Sequence, residues 1–239
     1  MEDIKLSEKL NVANIAIQNY LANSLKSFGT DNIVDGMRYA VLGGKGLRGF
    51  LVMESAALMG VPKTNAISVA AAAEALHTYS LVHDDLPCMD DDDLRRGVLT
   101  VHKKWDEATA VLVGDALQTF AFELLGRSEC SDDPNIIIKL ISSLTRAVGA
   151  QGMVLGQAQD IEAGSSSYAL GLDEISELQR NKTGALIEWS AVAGAILAGE
   201  DPKELREYSQ ALGLAFQIVD DVLDVEGDSS IVGKAVGKD

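Results

Sequence analysis

The sequence predicts an all-α fold, a large helical bundle, and three observations carry that reading. Strand signals are scarce: aromatic residues make up 5% of the chain, and no stretch sustains the apolar/polar alternation of a half-buried strand. Helix punctuation recurs, with Asp or Thr before apolar runs and Pro at first helical positions. Apolar residues inside those runs step by three and four, the spacing of one helix face.

In chain order, Thr64 opens "NAISVAAAAEALHTYSLVHDD", which Pro87 should end or kink. Asp106 opens "EATAVLVGDALQTFAFELLG". Asp133 and Pro134 open "NIIIKLISSLTRAVGAQGMVLGQAQDIEAG", read as one run. Asp173 opens "EISELQRNKTGALIEWSAVAGAILAG". Asp201 caps the last run, with Pro202 at its first position and Glu204 at its third, the pattern of a capping box. There Leu205, Tyr208, Leu212, Ala215, Phe216 and Val219 form the apolar stripe, and Gly227 is the stop. Several of these runs are apolar on most faces and belong at the centre of a bundle. Breaks fall at "LGGKGLRG", "SECSDDP" and "AGSSSYALGLD". No linker is long enough to split the chain and no repeat shows, so residues 1–239 read as one domain.

A formal net charge of −16 argues against nucleic acid and against an anionic membrane surface. Two cysteines, Cys88 and Cys130, make no disulfide framework and suit a reducing compartment. The acidic N-terminus is neither signal nor transit peptide, and no apolar run reaches the ~18 residues of a membrane span, so a cytoplasmic location without membrane insertion is expected.

Two acidic clusters stand out against that background. Asp220 and Asp224 lie about 40° apart on a helix whose other residues leave little room for a wide wet face. Like charges there need cations or solvent. The other cluster is "SLVHDDLPCMDDDDLRRG", from Ser80 to Gly97. On an unbroken helix Asp84 and Asp90 would stand about 240° apart. Two extra residues in a turn at Pro87 would bring Asp90 back toward Asp84, while Asp91, Asp92 and Asp93 also read as solvated acids opening the next segment. Three histidines and two cysteines are too few and badly spaced for zinc, and no calcium loop is present. An all-carboxylate set with open positions suits magnesium bridging to phosphates. A cationic clamp should accompany it. Candidates are Arg95 and Arg96, Lys45 and Arg48 in "GGKGLRG", Lys182 with Thr183 in "RNKTG", and Lys234. His77 falls on the same side of its helix as Asp84, within about 20°.

"DDLPCMDDDDLRRG" and "FQIVDDVLD" resemble the two aspartate-rich motifs of the trans-prenyltransferases, the polyprenyl diphosphate synthases. "GGKGLRG", "EALHTYSLVHDD", "GDALQTFAF", "GQAQDIEA" and "NKTGALI" are similar to further blocks of that family, in order, over nearly the whole chain. The inserted form of the first motif resembles bacterial-type farnesyl diphosphate synthases. The resemblance implies the isoprenoid synthase fold, about ten helices around a central cavity, with the two motifs facing each other, and a homodimer. It implies that Asp84, Asp85, Asp90, Asp220 and Asp224 hold Mg²⁺ directly or through water, three ions per site, with Mn²⁺ as a substitute. It implies that Arg95, Lys182, Thr183, Gln217 and Lys234 hold the allylic diphosphate, and that Lys45, Arg48, His77 and Arg96 hold isopentenyl diphosphate. The implied reaction is head-to-tail condensation of isopentenyl diphosphate with dimethylallyl or geranyl diphosphate, giving farnesyl diphosphate and diphosphate.

Two positions depart from the family pattern: Gly46 stands where arginine is usual, and Gly49 where proline is usual. The sequence also stops at Asp239, fifteen residues after Asp224, where the family continues through further helices and a basic tail, so the C-terminal part is expected to be missing. By the resemblance, Tyr79 and Ser80 shape the cavity floor, and the bulky Tyr79 suits a fifteen-carbon product. On an ideal helix Tyr79 lies about 140° from Asp84, so a core tyrosine is the alternative. Other readings are a geranyl or geranylgeranyl diphosphate synthase, a class I terpene cyclase, a non-catalytic subunit of an active partner, and an acidic structural helical protein. The cyclase needs no second diphosphate site, and the structural protein needs no paired arginines.

Overall fold

The computed structural model describes residues 5–165 and 170–226, with side chains described up to 215, Leu214 excepted. Helix α1 (Leu6–Leu25) runs into a 3₁₀ turn, Lys26–Phe28. Helix α2 (Asn32–Ala40) is capped by Asp31, whose carboxylate accepts the Ile33 and Val34 amides. Helices α3 (Leu47–Leu58) and α4 (Lys63–Asp84) follow, then the short α5 (Val101–Lys104) and the long α6 (Glu107–Leu125). The chain continues through α7 (Pro134–Val148), α8 (Met153–Ser165), α9 (Leu172–Gln179), α10 (Ala185–Ala198) and α11 (Lys203–Glu226).

The expected caps at Asp106 and Asp133 are present. Asp106 accepts the Thr109 amide at 2.7 Å, and Asp133 accepts the Asn135 amide with Pro134 beside it. Asp201 accepts the Lys203 amide at 3.0 Å, opening α11. The predicted stop at Gly227 lies outside the described residues.

Several readings need correction. The run after Pro134 is two helices, because the chain turns at Gly149 to Gly152. A Cβ at Gly152 would lie 2.1 Å from the Ala147 carbonyl oxygen, a contact only glycine avoids. The run assigned to Asp173 starts instead from Gly171, whose amide the Glu174 carboxylate accepts at 2.7 Å. It is also interrupted: Arg180–Gly184 form a π-helical turn between α9 and α10. Next, α4 begins at Lys63 after Pro62 rather than at a Thr64 cap. Two short strands accompany the helices and leave the all-α class intact: β1 (Leu94–Arg95) pairs antiparallel with β2 (Val98–Leu99). Their connection puts Arg96 at φ 55° and Gly97 at φ 77°, the double positive φ of a tight hairpin.

The core is one contiguous cluster centred on α4. From Val69 to Ala73 that helix has no measurable exposure, which fits its reading as apolar on most faces. It packs on α3 and α6, while α10 packs on α3 and α7. Small residues set the approach distance: a Cβ at Gly194 would lie 2.2 Å from the Ala56 amide nitrogen of α3, and the Gly194 amide donates to Ser55 Oγ at 3.2 Å. Helix α6 is, by length and composition, apolar enough to cross a membrane, contrary to the reading that no run approaches that size. Half of that stretch is buried against the other helices, as in any central core helix.

Candidate active site

The first acidic cluster is built by the end of α4. Regular helix stops at Asp84, since a proline at 87 cannot supply the next amide. The chain then makes a wide turn in which the Asp90 amide donates to the Asp84 carbonyl at 2.8 Å. That bond spans six residues where a helix spans four. The two-residue insertion therefore returns Asp90 to the side of Asp84, as expected. Asp91 takes φ 51° to leave the turn, and the hairpin follows.

Burial pushes the Asp84 carboxyl up to about 7; Asp90 and Asp85 push the same way, while Lys182 and Arg95 oppose them. Asp90 is raised by burial and by Asp160 and Asp92, against Lys182 and Arg95. Carboxylates crowded in this way favour a cation between them. Asp85 differs. It is 3% exposed, and its Oδ1 accepts both Arg95 Nε, at 2.8 Å, and Arg95 Nη2. Arg95 Nη2 also reaches Asp92 at 3.3 Å. Burial works against the Arg95 charge, but these acids hold its pKa above the usual arginine value.

A cavity of about 370 Å³ opens beside this turn. Asp84, Lys182 and Thr183 line it, and so do Arg48 and His77. Tyr79 and Ser80 line it together with Asp84, so the cavity wraps the last turns of α4 and the 140° between them is no obstacle. Tyr79 stacks edge-on against His83 at 5.6 Å between ring centroids. The His83 ring sits over Gly114 of α6, where a Cβ would meet Nε2 at 2.0 Å, and His83 Nε2 donates to the Val111 carbonyl at 3.0 Å. The remaining wall includes Leu81, Met89, Met153, Val154 and Ile161, all apolar.

Lys182 and Thr183 sit in the π-turn, which redirects their side chains out of the regular helical register. The turn is gripped by α8: a Cβ at Gly156 would lie 2.1 Å from the Lys182 amide nitrogen. Lys182 Nζ donates to Asp160. Burial lowers the Lys182 pKa, but Asp160, then Asp84 and Asp90, more than reverse this. Sequence reasoning missed Asp160 and Gln157 as site residues. The signal was their three-residue spacing in "GQAQD", which puts both on one face of α8. Gln157 lines the cavity with its Nε2 buried and, among the described residues, without a partner.

The second cationic patch gathers α3, α4 and the hairpin. Burial, with Arg48, Arg96 and Arg95 nearby, depresses His77 well below the usual histidine value, so its ring is neutral. Arg96 donates from Nη1 to the Leu42 carbonyl at 3.2 Å and lies against Gly44. Lys45 is exposed on this loop and does not line the cavity. The two departures from the family pattern have local reasons. Gly46 has φ 67°, and a Cβ there would lie 2.4 Å from Asn14 Oδ1, so arginine would be strained and would collide. Gly49 donates its amide to Glu74 Oε1 at 2.7 Å, a bond proline lacks.

Among the described residues, Asp91, Asp93 and His102 also bring ligand atoms within 4.8 Å of one another, with Lys103 Nζ 2.8 Å from Asp93. Of the second motif, Asp220 and Asp224 fall in α11, as does Gln217, but their side chains lie outside the described residues, and so does Lys234 entirely. Helix α11 packs on α10 and the π-turn, and a Cβ at its Gly213 would be 3.7 Å from Gly184.

Comparison with known proteins shows the family. The family model described as Polyprenyl synthetase matches residues 31–239. A farnesyl diphosphate synthase of Haemophilus influenzae is 43% identical, over 98% of this chain and 81% of the relative. One from Escherichia coli is 45% identical, over 95% and 77%. The crystal structure of an FPP/GFPP synthase from Zymomonas mobilis, in its apo form, superposes with a TM-score of 0.88 at 44% identity, covering 92% of this chain and 81% of that one.

Proposed function

The chain belongs to the polyprenyl synthetase family, and from that premise we propose that it is a farnesyl diphosphate synthase. This prenyltransferase joins isopentenyl diphosphate head-to-tail to dimethylallyl and then geranyl diphosphate. The observation that carries the reading is one cavity lined by Asp84, by two separate basic groups (Lys182 with Thr183, and Arg48 beside His77) and by Tyr79. Two cationic patches suit two diphosphates, which favours condensation over cyclisation of a single substrate.

Lys182 and Thr183, with Arg95, Gln217 and Lys234, hold the allylic diphosphate. Arg48, His77 and Arg96, with Lys45 on the adjoining loop, hold isopentenyl diphosphate. Asp84 and Asp90, with Asp220 and Asp224 of α11, would hold Mg²⁺, three ions per site with Mn²⁺ as a substitute; Asp85 acts through water and through the Arg95 it anchors. The crowded, burial-raised carboxyls of Asp84 and Asp90 fit that donor set, since hard oxygen ligands suit this ion. Bound there, the ions supply positive charge to the departing diphosphate.

The chain's own groups do the rest. Lys182 Nζ, poised between Asp160 and the Asp84–Asp90 pair, meets the charge that develops as the allylic C–O bond breaks. The π bond of isopentenyl diphosphate attacks the allylic carbocation, a C–C bond forms, and the proton leaves to the released diphosphate. Met89, Met153, Val154 and Ile161 keep water from that cation. Tyr79 sets the product at fifteen carbons. The working form is a cytoplasmic homodimer.

The test is incubation with Mg²⁺, isopentenyl diphosphate and geranyl diphosphate, followed by sizing of dephosphorylated products. Farnesol is expected. Hydrocarbon release from the allylic substrate alone would indicate a cyclase, and no turnover without a second protein would indicate a subunit.

A further inference from the structure

Burial lowers the pKa of both Arg48 and Arg96, and like charges add to it: Arg96 acts on Arg48, and Arg95 acts on Arg96. Two acids oppose this: Glu74 acts on both arginines, and Asp85 acts on Arg96. Glu74 of α4 is 8% exposed and stands one turn before His77. Its Oε1 accepts the Gly49 amide at 2.7 Å, adjacent to Arg48 in the chain, and its charge acts on both Arg48 and Arg96. Among the described residues no direct ion pair joins it to either arginine. A buried carboxylate is tolerated only if donors and charges compensate it, and here the two guanidinium groups and one amide do so.

We propose that Glu74 is the buried counter-charge of the Arg48–Arg96 clamp, a positioning residue that sets through space how tightly that patch binds a diphosphate. This deepens the reading above and rests on it for the identity of isopentenyl diphosphate as the occupant. Glu74 offsets the mutual repulsion of the clamp before substrate enters, and so moderates its pull on the substrate. At the other patch, Lys182 answers first to Asp160, then to Asp84 and Asp90. The Gly49 amide fixes the carboxylate's position, so glycine at 49 and glutamate at 74 work as a pair.

Glu74→Gln tests this, because glutamine keeps the shape and the acceptor for Gly49 but removes the charge. The KM for isopentenyl diphosphate should fall by roughly three- to tenfold, the scale of one unit charge across a half-buried wall. The KM for geranyl diphosphate should stay within about twofold, since the neighbouring patch is screened by its own acids. Calorimetric binding of inorganic pyrophosphate without divalent ions should tighten by the same factor. An unchanged or raised KM for isopentenyl diphosphate, or equal shifts for both substrates, overturns the proposal. Should Glu74→Gln not fold, Glu74→Asp must keep the parental KM for isopentenyl diphosphate, and a rise there overturns it equally. If the parent protein shows no condensation at all, the functional reading fails, yet tighter pyrophosphate binding by Glu74→Gln still supports the counter-charge and unaltered binding still refutes it.

Discussion

Gly156→Ala should cost both stability and rate, and for one geometric reason. A methyl group at Gly156 of α8 would lie 2.1 Å from the Lys182 nitrogen and 2.5 Å from its Cα. Non-bonded heavy atoms settle at about 3.5 Å, so the two backbones must part by more than about 1 Å. Both partners are main chain, and no rotamer change relieves the overlap. Overpacking of this kind costs about 1–3 kcal/mol. The displaced segment is the π-turn that carries Lys182 and Thr183, and a misplacement near 1 Å of a reacting group costs on the order of 10²-fold in rate. Urea unfolding and steady-state turnover read the two effects separately. Gly164→Ala, in the same helix with nothing within 4 Å of its added methyl, is the control and should lose neither. Parental stability and parental rate in Gly156→Ala would refute the claim that α8 positions the π-turn.

Tyr79→Ala should lengthen the products from fifteen toward twenty carbons, because the buried ring occupies the cavity wall that a longer chain needs; unchanged farnesol output by chromatography counts against it. The Asp84 carboxyl, raised to about 7 from an unfolded value near 3.9, favours the folded state in its acid form. That contribution is whole below about pH 4 and lost as pH rises through about 7. Without divalent ions the thermal midpoint should therefore drop between pH 5 and pH 8, and Asp84→Asn should drop less; parallel curves for the two proteins would contradict the assignment. Leu124→Ala, which truncates a fully buried α6 side chain, should destabilise by about 2–5 kcal/mol by urea titration, with the value near the top of that range if the site does not collapse.

Much of the fold was legible because helix caps are local chemistry. Asp106, Asp133 and Asp201 each bond an amide two or three residues away, and nothing distant is needed to predict that. The hairpin escaped notice because its strands are two residues each, too short for any alternation to show. The division of α7 from α8 escaped because glycine inside an apolar run is locally ambiguous; the Ala147 carbonyl behind Gly152 decides it. The turn at Pro87 was legible, since six-residue spacing, a proline and paired acids allow few geometries. The engagement of Asp85 by Arg95, ten residues on, was not, because it depends on where the hairpin folds back. Asp160 and Glu74 were passed over for the same reason: each is an ordinary acid until α8 meets the π-turn or α3 meets α4.

By itself, then, the order of residues determined the helices, the carboxylate spacing and the family pattern, all of which rest on contacts within a turn or two. Tertiary structure decided which carboxylates crowd one another and which pair with arginine or lysine, why glycine stands at 46 and 49, and that Lys182 and Arg48 share one cavity. The physical reason is that desolvation and charge coupling depend on distance in space, and distance in space between α3, α4, α8 and the hairpin is written nowhere in local spacing.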